Sequence, residues 1–136
     1  MNTTESTREV VSHFFERVVA RAEPDVIASL FSEDVDWKVP GNEQIPWIGR
    51  KTGRAGVADF IRDLRRFTTP IRISMRTVIS EGENAVALLE LETRANSSGK
   101  VIKTEAAFDF VVRDGLIVRF RLFEDSYAVA QAMNGV

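Results

Sequence analysis

The chain has 136 residues, a formal net charge of -2 and no cysteine, with 44% hydrophobic and 28% charged residues. That length favours one domain, residues 1–136, with enough apolar content to bury a core. Mixed charge without a basic bias argues against nucleic acid and anionic membranes as partners, and the lack of cysteine excludes disulfides, thiolate metal sites and thiol nucleophiles.

No apolar run is long enough to cross a bilayer. Met1–Glu9 is polar and lacks the basic-then-apolar pattern of a signal peptide, so a cytoplasmic location is expected. Ser6 and Glu9 have capping-box spacing, although the helix can also begin a turn earlier. Behind them Val11, Phe14, Phe15, Val18 and Ala22 form a helical stripe. Pro24 opens a second, short helix whose Val26, Ile27, Leu30 and Phe31 point to the same core. Asp34–Val39 reads as a strand with Val35, Trp37 and Val39 on one face, stopped by Pro40-Gly41. The loop 42–49 carries Ile45, Trp47 and Ile48, an apolar load that needs something to cover. After Gly53 a third helix places Val57, Phe60, Ile61, Leu64 and Phe67 on one side.

The rest reads as strands. Ile71, Ile73, Met75, Thr77 and Ile79 share one phase, as do Ala85, Ala87, Leu89, Leu91 and Thr93. Ile102, Thr104, Ala106, Phe108, Phe110 and Val112 do the same. Hairpin-length turns join these runs, so the sheet is expected to be antiparallel. A three-residue turn at Arg113-Asp114-Gly115 keeps Val112 opposite Leu116 and leaves Asp109 on the charged face. The final run then alternates Leu116, Val118, Phe120, Leu122 and Glu124 against Arg119, Arg121 and Asp125. One side of such a sheet walls an apolar cavity ending on a carboxylate; the other collects Arg72, Arg76, Glu90, Glu92, Lys103, Glu105, Asp109, Arg119 and Arg121. That charged side is either a solvated face or a homodimer surface.

Glu124 is the catalytic candidate, because a carboxyl facing an apolar cavity is desolvated and suited to moving protons. It can instead cap a last helix starting near Ser126. Trp37 and Trp47 are substrate-binding candidates that would stack on a flat ligand, with plain core packing as the alternative. His13 lies off the apolar stripe and reads as a surface histidine, and Asp125 reads as an ion-pair partner of Arg121. Arg50, Lys51 and Arg54 lack the glycine spacing of a phosphate loop. One histidine and no cysteine leave no metal site to expect.

The element order resembles the nuclear transport factor 2-like superfamily, in its SnoaL-like and ketosteroid-isomerase-like branch. The likeness rests on Leu30-Phe31-Ser32-Glu33-Asp34-Val35-Asp36-Trp37, on Pro46-Trp47-Ile48-Gly49 with Gly53-Arg54-Ala55-Gly56-Val57, and on Asp114-Gly115-Leu116-Ile117 with Phe123-Glu124-Asp125. It implies an α+β fold, a cone-shaped curved sheet wrapped over three helices around a pocket, and homodimers through the outer sheet face. It also implies departures. Val39 stands where ketosteroid isomerases carry their general-base aspartate, Phe15 where they carry an oxyanion-binding tyrosine, and Phe108 where they carry a second acid. Leu89, Leu91 and Leu122 stand where limonene-epoxide hydrolase carries its aspartate–arginine–aspartate group. Neither reaction in its standard form is therefore expected, and those six positions become cavity-lining, substrate-binding candidates with Phe120. The expected function is cofactor-free acid–base chemistry, of isomerase or cyclase type, on a small hydrophobic molecule. The alternatives are a non-catalytic binding protein and a dimerisation scaffold.

Overall fold

The computed structural model describes residues 2–133. Asn2 and Glu5 open the first helix, α1 (Thr3–Val19), through a reciprocal capping box: Asn2 Oδ1 accepts the Glu5 N–H at 2.9 Å. The helix thus starts a turn before the Ser6–Glu9 pair. Val11 and Phe14 are buried, while His13 is exposed as its phase requires. Pro24 opens α2 (Pro24–Ala28), which buries Ile27 and leaves Val26 in solvent. The first strand, β1 (Phe31–Val39), begins earlier than expected, and its Val35, Trp37 and Val39 all face inward. After the loop comes a short strand absent from the sequence expectation, β2 (Gly49–Thr52), paired antiparallel to β1.

The third helix, α3 (Gly53–Phe67), follows the expected wheel and buries Val57, Ala58, Phe60 and Ile61. Four long strands follow: β3 (Thr68–Glu81), β4 (Asn84–Ala95), β5 (Val101–Arg113) and β6 (Leu116–Phe123); α4 (Ser126–Met133) is the last element among the described residues. The sheet is six-stranded, curved and open, in the order β2-β1-β6-β5-β4-β3. It is mixed: β1 lies parallel to β6, so hairpin lengths alone misjudged that pairing. Helix α1 packs on β3, β4 and β5, and α3 packs on β1, so the helices fill the concave side. No helix among the described residues is long and apolar enough to cross a membrane.

Two register details differ from the alternation argument. The last hairpin is a two-residue turn, with Asp114 at φ 52° and Gly115 at φ 79°, pairing Arg113 with Leu116 and Val112 with Ile117. Both central residues are left-handed, as the favoured tight hairpin turn demands. A bulge opposite Val111 and Val112 absorbs the shift, so Phe110 still faces Phe120 and Asp109 still faces Arg121. Ile117, not Leu116 or Val118, is therefore buried. Likewise β3 bulges between Pro70 and Arg72 and between Met75 and Thr77. Ile73 and Met75 stay on the inner side, opposite Leu91 and Leu89, yet this edge strand leaves them exposed. Past the second bulge Val78 turns inward and Ile79 outward.

The core is aromatic. Trp37 stacks on Phe120 with ring centres 4.0 Å apart, and Phe31 and Phe14 meet Phe120 edge-on or tilted. Full burial of side chains this large stabilises by about 1.5–3 kcal/mol each, and aromatic pairing geometry adds to that. Outside, Arg121 forks onto Asp36 at 3.0 Å, binding β6 to β1, and Arg50 of β2 reaches the same carboxylate at 2.6 Å. Both guanidinium groups hold the Asp36 pKa below its ordinary value.

Candidate functional site

Between the concave sheet face and the helices lies a cavity of about 160 Å³. Leu89 and Leu91 come from β4, Phe108 from β5, and Phe120 and Leu122 from β6, so strand alternation delivers all five to one wall. Phe15 of α1 and the loop residue Trp47 also line it, joined by Phe60, Ile61 and Leu64 of α3. Trp47 is only 3% exposed: the loop folds inward to cover the cavity, which explains its apolar load.

Two expected positions lie elsewhere. Trp37 and Val39 are buried in the core and do not line the cavity. Trp37 fills the layer behind Phe120, whose ring lines the hollow, and among the described residues its Nε1–H has no hydrogen-bond partner. Val39 shares the inward phase of Trp37 on β1, on the far side of β6 from β5 and β4.

Glu124 follows β6 in phase with Phe120 and Leu122 and reaches the cavity wall. The Thr104 hydroxyl donates to its Oε2 at 2.8 Å. Burial raises the Glu124 carboxyl above its usual value of 4.5; the Thr104 bond opposes that rise and the neighbouring Asp125 charge adds to it. Asp125, not Glu124, caps α4, accepting the Ala128 N–H at 3.0 Å. The Asp125 side chain is thus spent on the helix, and Arg121 pairs with Asp36 instead. A carboxyl in this setting holds its proton at higher pH than a solvated one and stands within an apolar hollow.

The basic run around the start of α3 is structural. Arg50 pairs with Asp36, Lys51 donates to the Pro46 carbonyl at 3.1 Å, and Arg54 donates to the Phe31 carbonyl at 2.7 Å. Among the described residues no cluster of three or more His, Cys, Asp or Glu is arranged to hold a metal ion.

Sequence reasoning missed five polar lining residues: Thr68, Thr93, Thr104, Arg21 and Arg65. The phase of Thr93 and Thr104 within their strands already carried the signal, and Arg65 follows Ile61 by one helical repeat. Arg21 lies past the end of α1, where no periodicity applies.

Solved structures share this architecture. A nuclear transport factor 2-like protein from Burkholderia xenovorans is 22% identical, covers 98% of this chain and 100% of its own, and superposes with a TM-score of 0.84. A Bacillus subtilis protein provisionally described as an isomerase is also 22% identical, with 100% and 98% coverage and a TM-score of 0.84. TerC, crystallised with polyporic acid, is 21% identical over 95% of this chain and 98% of its own, with a TM-score of 0.82. At such identities these likenesses show the fold. No curated protein matches the chain by sequence. The model of the SnoaL-like domain, however, matches residues 11–120, from the buried face of α1 to the Phe120 ring, and the chain belongs to that family.

Proposed function

We propose that the cavity binds a small hydrophobic molecule bearing a carbonyl group, and that Glu124 moves a proton on it without a cofactor. The observation that carries this reading is a half-buried carboxyl of raised pKa, bonded to Thr104, at the wall of a mainly apolar hollow. In its ionised form Glu124 takes a proton from the carbon beside the carbonyl, and the acid so formed returns it to another carbon of the same molecule. The sum is an isomerisation, with no other reactant consumed. Phe15, Phe108 and Trp47 would hold the apolar body, and the hollow excludes the water that would compete for the proton.

The test is α-proton exchange on a bound cyclic ketone such as 2-tetralone in deuterated water, followed by NMR. The native chain should speed exchange, and Glu124→Gln should abolish the acceleration while retaining affinity. Acceleration that survives this substitution removes Glu124 from the chemistry.

The second reading is a binding protein with the same pocket and no turnover. It is favoured by Val39, Phe15 and Phe108, apolar residues at the positions where the resemblance implies a base and oxyanion donors. Binding of 2-tetralone without any exchange above the solution rate would select it.

We also propose that the outer sheet face meets a second copy of the chain. Phe123 is 46% exposed beside Ala107, at an outer-face depression that Arg76, Glu90 and Glu105 also line.

A further inference from the structure

Arg21 and Arg65 both line the cavity, and among the described residues neither side chain makes a hydrogen bond or an ion pair. Their neighbours are engaged: Arg17 donates to the Val26 carbonyl, Arg62 pairs with Asp25 and Asp59, and Arg66 lies over the Phe67 ring. Arg21 is also strained. It sits at φ 54°, past the end of α1, where its N–H bonds the Val18 carbonyl at 3.1 Å and the Ala22 N–H bonds the Arg17 carbonyl at 3.0 Å. This left-handed position after a helix is the one where glycine is the usual occupant, and a side chain retained there against strain points to function.

Arg65 is half-buried and Arg21 exposed, which puts the pair at the cavity rim. Burial lowers the Arg65 pKa, the Arg21 charge lowers it further, and Glu23 partly offsets both. Two like charges at the rim of one apolar hollow complement an anion, which relieves their repulsion and accepts charge-assisted hydrogen bonds. Glu124 stands apart from them. Its carboxyl responds to burial, Thr104 and Asp125. It follows β6, whereas Arg65 lies three residues before Thr68, where β3 begins with β5 and β4 between. Helix-end dipoles favour basic residues near both positions, but that attraction needs neither a strained backbone nor a place on the cavity wall.

We propose that the cavity takes an amphipathic acid: an apolar ring body inside, and a carboxylate or acidic enol held by Arg21 and Arg65 at the rim. This names the substrate class of the pocket described above and rests on that pocket being a binding site.

The experiment is calorimetric titration of the native chain, Arg21→Gly and Arg65→Gln with 2-naphthoate and with its neutral methyl ester, after thermal melts of all three. Glycine suits the left-handed position, so Arg21→Gly should melt no lower than the native chain. The native chain should prefer the acid by about tenfold or more, and each variant should lose about that factor for the acid while binding the ester as before. Equal native affinity for acid and ester, or equal losses for both ligands in the variants, overturns the anion site and leaves the pocket standing. Failure of both ligands to bind the native chain overturns the anion site and the pocket together.

Discussion

The Thr104 hydroxyl reaches from β5 to Glu124 Oε2 across 2.8 Å, making one partly buried hydrogen bond to the acid of an apolar cavity. Burial disfavours the charged form, so the folded chain retains a proton that the unfolded chain releases above the usual value of 4.5. Stability from this group is therefore greatest below 4.5 and declines as pH rises through the raised folded pKa. Glu124→Gln should flatten the melting-temperature profile across that interval and melt higher than the native chain at neutral pH. Parallel profiles for the two proteins would contradict the assignment. Thr104→Val removes the bond that favours the carboxylate and should shift the native decline to still higher pH.

Trp37 belongs to the core, stacked on Phe120 with its Nε1–H unpartnered among the described residues. Trp37→Ala should cost about 3–5 kcal/mol in urea unfolding, the range for removing a buried aromatic ring. Trp37→Phe forfeits no hydrogen bond and should cost far less. Neither should change the affinity for a cavity ligand beyond about twofold, because the ring does not line the hollow. A large affinity loss in Trp37→Phe would return this residue to the binding site.

Asp36 joins three strands through Arg121 and Arg50. The Arg121 side chain is only 12% exposed, so Asp36→Ala strands a guanidinium that keeps just the Asp36 and Phe120 carbonyls. A loss of about 1–3 kcal/mol in urea unfolding is expected. Because the folded pKa of Asp36 is depressed, its contribution is present above the usual 3.8 and disappears as pH falls through the lower folded value. The gap between native and Asp36→Asn stabilities should close on acidification over that range; a constant gap would show that charge is not its source.

Gly53 begins α3 at φ 63°, and a Cβ there would lie 2.7 Å from the Glu33 carbonyl oxygen of β1. Gly115 has a similar φ of 79° but open space around it. Gly115→Ala should cost about 1–2 kcal/mol from backbone conformation alone. Gly53→Ala adds a clash between two backbones, so the ratio of the two losses measures how tightly β1 and α3 abut. Equal losses would mean that the clash relaxes at no cost.

Phe123→Asp places charge on the outer face proposed to meet a second copy. Light scattering should then report half the native mass, with the fold intact by circular dichroism. An unchanged mass, monomeric or dimeric, would remove Phe123 from any such interface.

Much of the fold was legible because its periods are strong. The α3 stripe and the alternation of β4 and β5 each bury one face, and burial enforces phase. The place of Glu124 at the cavity wall was legible for the same reason, two residues beyond Leu122 and two more beyond Phe120. The β6 phase failed near Leu116, and the β3 phase failed at both ends. A bulge inserts one residue without any composition signal, so a period of two cannot see it. Val39 and Trp37 were inward, as read, but the same phase also faces solid core.

The sequence by itself determined which residues turn inward, because hydrophobic periodicity records the preference of each side chain for water or oil. It determined the family through short runs such as Leu30–Trp37, and with it the expectation of a cone around a hollow. Only the tertiary structure decided that β1 runs parallel beside β6, that Trp47 closes over the cavity while Trp37 does not reach it, and that Arg21 and Arg65 converge at its rim. Those outcomes depend on which distant segments meet, and no local repeat encodes the meeting of segments tens of residues apart.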